Sequence, residues 1–143
     1  MKKNTIRFVL CIIFLVTAIG WYFLPINLNT IVSKEVQSST VEKASITVFS
    51  SAYVQETYEI NDKVIIDNLI EIFDDVDARR TVSPPEVFKP SLYNTYYIHL
   101  VSRDKIVRVD FMDKNYLIVD NHTYKIVNEP NLMQIYDVVN SIK

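Results

Sequence analysis

The side chains able to do chemistry are few, and their spacing is more informative than their number. The chain has two histidines, His99 and His122. His99 alternates with Tyr97 and Val101 along an apparent strand, while Ile98 and Leu100 take the other side, the pattern of an ordinary half-exposed sheet histidine. His122 falls in the short stretch DNHT, where Asn and His suit a tight turn. Asp74, Asp75 and Asp77 form the densest acidic cluster, and oxygen-loving cations favour such groups. The glycine-containing loop of an EF-hand is missing, however, and Arg79 and Arg80 follow directly and can neutralise the cluster. Ser50, Ser51, Ser83 and Ser91 stand in no G-x-S-x-G elbow. The only cysteine, Cys11, lies in an apolar run. No His-x-x-His or HExxH spacing occurs, so we expect no metal site, no cofactor and no catalytic residue. Carboxylates converging from the sheet, as in a small cell-envelope hydrolase, are the enzymatic alternative.

Tyrosine is the residue type that points to binding. Tyr93, Tyr96, Tyr97, Tyr116 and Tyr124 gather in one half of the chain, beside the loop SPPEVFKPSLY that carries Phe88 between prolines. Tyrosine gives rigid amphipathic contact area, although it also favours strands on propensity alone. Phe88, Tyr93, Tyr96, Tyr97, Tyr116 and Tyr124 are therefore the candidate binding surface, for a protein or cell-envelope partner.

Composition excludes other classes. Gly20 is the single glycine, which rules out a glycine-rich phosphate cradle. Beyond residue 25 there are twelve basic and seventeen acidic residues, a net charge of −5, unsuited to neutralising nucleic-acid phosphates.

The elements that must position these residues begin with TIRFVLCIIFLVTAIGWYFLP. Ile6 to Leu24 is apolar except for Arg7, Thr17 and Gly20, about the length of a membrane-spanning helix. Trp21 and Tyr22 suit a membrane interface, and Lys2, Lys3 and Arg7 favour a cytoplasmic N-terminus. The expectation is a signal-anchor in residues 1–25, with residues 6–24 in the cell membrane as a single pass and the C-terminal domain outside. Cleavage after Gly20, at Ala18-Ile19-Gly20, would instead give a secreted form. Leu10 before Cys11 argues against a lipid-modified cysteine.

Residues 26–44 are polar and without sustained period, and they read as a linker, although a short helix at 30–37 fits as well. The domain proper spans 45–143. SITVFSS and AYVQETYEI are strand-like. NDKVIIDNLIEIFDD places Ile65, Ile66, Leu69, Ile70, Ile72 and Phe73 at helical spacing, with Asn61 or Asp62 as cap. A proline-rich loop and a short strand at 78–82 follow. TYYIHLVS, KIVRVDFM, YLIVD and TYKIV then form a meander through hairpin-length connectors, one of them Asn121-His122. After Pro130, Leu132, Ile135, Tyr136, Val139 and Ile142 form one helical stripe. The expected fold is α+β, an antiparallel sheet of four to five strands packed by two helices.

The helix IIDNLIEIF, the following ARRTVSPPEVFKP and the strand YYIHL give a chain that resembles the bacterial domain of unknown function 5301 over roughly residues 40–140. That resemblance implies a topology and an exported or anchored location, and it brings no catalytic residue. The sequence thus points to a binding or interaction domain and not to an enzyme.

Overall fold

The computed structural model describes residues 2–37, 40–49, 55–81, 95–112 and 115–142, with side chains from Ile6 onward. Strand β5 (Thr95–Ser102) shows how the sequence builds the sheet. Tyr96, Ile98 and Leu100 are buried, while Tyr97, His99 and Val101 between them are half-buried on the other side. The same alternation continues into β6 (Ile106–Phe111), β7 (Tyr116–Val119) and β8 (His122–Ile126), which pair in sequence as an antiparallel meander.

Beside β5 lies β2 (Val41–Phe49), and β3 (Gln55–Ile60) forms the edge beyond it. On the other side of β8 come β4 (Asp77–Arg80) and the two-residue β1 (Ile26–Asn27). The result is an eight-stranded antiparallel sheet in the order β1-β4-β8-β7-β6-β5-β2-β3. The expectation of four to five strands is corrected: the two-residue β1 is too short to show a period, and the strand read at 78–82, found here as β4, joins the meander and the strands β2 and β3 in one continuous sheet.

One face of the sheet joins four helical segments in a single apolar core. Helix α3 (Lys63–Glu71) is capped by Asp62, whose carboxylate accepts from Val64 N at 2.8 Å, and it buries Ile66, Leu69 and Ile70. A 3-10 turn at Ile72–Asp75 continues it and places Phe73 6.3 Å from Phe111, ring centre to ring centre. Helix α4 (Met133–Ile142) buries Ile135 and Val139. Residues 26–44, which read as a linker from their composition, instead hold β1, helix α2 (Leu28–Ser33) and the start of β2, and Leu28, Ile31 and Val32 sit in the core. Three apolar residues at i, i+3, i+4 in a six-residue helix are too few to stand out among polar neighbours. Asn27 caps α2 by accepting from Asn29 N at 2.9 Å, and its amide donates to the Asp74 carbonyl at 2.6 Å.

The N-terminal helix α1 runs Lys2–Tyr22 and is exposed along its described side chains. It ends before the apolar run does, because Phe23 N and Leu24 N bond to the Gly20 and Trp21 carbonyls in a tightened last turn. Ile6 to Tyr22 rises about 25 Å, short of a hydrocarbon core of about 30 Å. Among the described residues no helix is long and apolar enough to cross a membrane. The expected signal-anchor, the transmembrane span at 6–24 and the single-pass placement in the cell membrane, with cytoplasmic N-terminus and outer domain, are corrected accordingly.

Candidate functional site

The candidate site forms where the end of α1 meets the helix-covered face of the sheet near its β1 edge. In β4, Ala78 and Arg80 share a face, and Ala78 is buried in the core. Arg80 stands opposite Tyr124 of β8, so its guanidinium projects over the Tyr124 ring, 5.9 Å from its centre. Tyr22, the last residue of α1, closes from the other side. Arg80 Nη1 donates to the Tyr22 hydroxyl at 2.8 Å, and the guanidinium lies 5.2 Å from the centre of that ring. The hydrogen bond to Tyr22, and after it the nearby Tyr124 hydroxyl, hold the Arg80 guanidinium more firmly protonated than usual, against a smaller opposing effect of burial.

Around this arginine is a cavity of about 500 Å³, within the size range of small-molecule sites. Trp21, Ile26, Ile31 and Val119 give it apolar walls, and Lys34, Glu35, Asp120, Asn121 and His122 form its polar part. Both carboxylates there are engaged. Glu35 pairs with Lys105, whose hydrogen bond and charge hold the Glu35 carboxyl below its usual range. Asp120 has a positive φ of 50°, a conformation Asp tolerates, and its Oδ1 accepts from Arg108 N at 3.0 Å. Among the described residues neither Arg80 nor Lys34 forms an ion pair.

The open face of the sheet holds a second arginine–tyrosine group. Arg108 grips Asp110 through Nη2–Oδ2 at 2.6 Å and Nε–Oδ1 at 2.9 Å, and it lies 5.5 Å from the centre of the Tyr97 ring. Phe49 meets Tyr97 edge to face at 4.9 Å. Asp110 is 1% exposed, the one buried charged side chain among the described residues, whereas the Arg108 side chain is 55% exposed. Burial and the Asp110 charge raise the Tyr97 hydroxyl above its ordinary pKa.

Of the six residues expected to form a binding surface, the four described, Tyr96, Tyr97, Tyr116 and Tyr124, do not share one exposed patch. Tyr96 and Tyr124 are both only 4% exposed, their rings on the core face. Tyr97 and Tyr116 are half-buried, and Tyr97 belongs to the Arg108–Asp110 group. Phe88 and Tyr93, with Ser50, Ser51, Ser83 and Ser91, lie outside the described residues. His99 faces the open side opposite Ser45 and Arg108. His122 is not in the turn: Asp120 and Asn121 make it, and His122 opens β8 opposite Val119 and lines the cavity.

The acidic cluster also differs from its reading. Asp74 accepts from Asn29 Nδ2 at 2.8 Å, and Arg79 and Arg80 make no ion pair with it among the described residues. Glu71, Asp74, Asp75 and Asp137 line a second cavity of about 440 Å³, whose remaining lining is Asn68, Ile72, Gln134 and Val138. Among the described residues no group of three or more ligands could hold a metal ion.

Sequence reasoning missed the role of Trp21, Tyr22, Lys34 and Arg80. One signal was available: in DARR, Arg80 lies two residues from Ala78 and so must share the face on which that alanine is buried. No family model, curated protein or solved structure matches this chain.

Proposed function

We propose that the chain is a ligand-binding domain and not an enzyme, with the cavity between α1, α2 and the β7–β8 hairpin as its recognition site. The observation that carries this reading is Arg80, a guanidinium oriented by two tyrosines, facing a cavity and free of any carboxylate partner among the described residues. A side chain held in this way loses little freedom when a ligand arrives. Among the described residues the lining contains His122 and tyrosine hydroxyls but no serine or cysteine, and its two carboxylates are engaged by Lys105 and by the Arg108 amide. Binding therefore has better support than acid–base or nucleophilic chemistry. The resemblance to the domain of unknown function 5301 assigns no activity and does not enter this reading.

A photo-crosslinking amino acid at Asn121, on the cavity wall, tests it. Irradiation of the intact protein should trap a ligand that Arg80→Gln no longer captures, with its mass unchanged by incubation. The same probe at Gln55, on the far edge of the sheet, should trap none. Equal capture from both positions, or a ligand recovered chemically converted, would contradict the proposal.

A further inference from the structure

The charges around the cavity specify more than a ligand in general. Glu35 and Lys105 cancel, leaving Arg80, Lys34 and Asp120, a local balance of +1 with His122 neutral. Asp120 keeps its charge but accepts from the backbone amide of Arg108 and forms no ion pair, so among the described residues the net positive charge lies with Arg80 and Lys34. Tyr22 takes one Nη1 proton of Arg80. The guanidinium has five N–H donors in a planar fork, and the geometry of that fork matches a carboxylate. Apart from Asn121 and His122, the rest of the wall is apolar or aromatic, from Trp21, Ile26, Ile31, Val119 and the tyrosine rings.

We infer that the cavity takes an organic carboxylate with an apolar or aromatic body, its carboxylate on Arg80 and its body against Trp21 and Ile31. This rests on the reading of the cavity as the recognition site and adds the class of ligand to it. A single negative charge matches the +1 balance, and a body of benzoate size or somewhat larger fits a volume of about 500 Å³. Hydrogen bonds between two charged groups are stronger than those between neutral ones, so the ionised ligand is preferred over an uncharged one of the same shape.

Trp21, the single tryptophan of the chain, lines the cavity and reports occupancy directly. The probes are 4-iodobenzoate and its neutral isostere 4-iodobenzamide, whose iodine quenches indole emission. The full chain should show saturable quenching by the acid, about tenfold tighter than by the amide, a preference of the size charge-assisted hydrogen bonds give. Arg80→Gln should remove that preference. Inorganic phosphate at equal concentration should compete poorly, having no apolar body. Equal affinity for acid and amide in the unmodified protein would overturn the carboxylate assignment while leaving the cavity as a binding site. Effective competition by phosphate would overturn the requirement for an apolar body. Absence of saturable quenching by either probe would overturn the inference together with the reading beneath it. The acid–amide comparison uses the unmodified chain, so it decides the matter even if Arg80→Gln folds poorly.

Discussion

Arg80 and Arg108 make the same kind of contact for different ends. Each guanidinium lies about 5–6 Å from a tyrosine ring centre, Arg80 with Tyr22 and Tyr124, Arg108 with Tyr97. Arg108 is also locked to Asp110 by two hydrogen bonds, and that carboxylate is buried. Its charge is consumed in neutralising Asp110, and the pair behaves as part of the fold. Arg80 has hydroxyls for company and no carboxylate among the described residues, so its charge is available to a ligand. The comparison teaches that an arginine stacked on aromatic rings says little about function until its counter-charge has been located.

The sharpest way to break this contrast is to truncate each arginine. Arg108→Ala leaves the Asp110 carboxylate buried and unpaired, and we expect a loss of about 3 kcal/mol in urea unfolding. Replacing Asp110 as well, in Arg108→Ala/Asp110→Leu, should restore most of it. A loss below about 1 kcal/mol for the single variant would show that Asp110 finds other partners. Arg80→Ala should cost only about 1 kcal/mol, the worth of its ring contacts, while weakening 4-iodobenzoate binding about tenfold. If the two variants lose equal stability, the division of roles fails.

Tyr22→Phe should have a smaller effect still, about 0.5–1 kcal/mol, through loss of the hydroxyl that accepts from Arg80. It should also loosen the contact between α1 and the sheet, seen as a shift in Trp21 emission. An unchanged emission maximum would mean that the hydrogen bond does not hold α1 in place. The smallest effect concerns pH. Lys105 lowers the Glu35 pKa, so the pair stabilises the fold fully above the ordinary carboxylate range near pH 4 and loses that contribution as pH falls through the lowered value. Both side chains are well exposed, so the difference between Glu35→Gln and the unmodified chain should be slight at pH 6 and shrink steadily as the pH is lowered from about 4 towards about 2. Parallel thermal midpoints over that whole interval would contradict it.

How much of this was legible in the sequence depends on element length. The amphipathic α3, the α4 stripe and the β5–β8 meander are long enough to display their period, and each stands near where it was read. The two-residue β1 and the six-residue α2 carry almost no periodic signal, and tertiary packing decides them, whereas β4 was legible as a short strand but not as a member of this sheet. The apolar segment misled on its extent, because the chain leaves the helix at Tyr22 and hydropathy does not register that turn. The tyrosines were legible as a group but not by face. In β5, Tyr96 and Tyr97 are adjacent, so one must enter the core while the other faces outward. The cavity itself joins Tyr22, Lys34, Arg80 and His122 from four parts of the chain, a meeting that no local pattern encodes.

The most direct measurement of the central claim is the quenching of Trp21 by iodide compared with caesium. Trp21 is 78% exposed and stands on the cavity wall, so collisional quenching samples the local potential. If Arg80 and Lys34 hold unmatched charge there, iodide should quench more efficiently than caesium at low salt, and the excess should shrink in Arg80→Gln. Stronger quenching by caesium, or an iodide preference untouched by Arg80→Gln, would contradict the account.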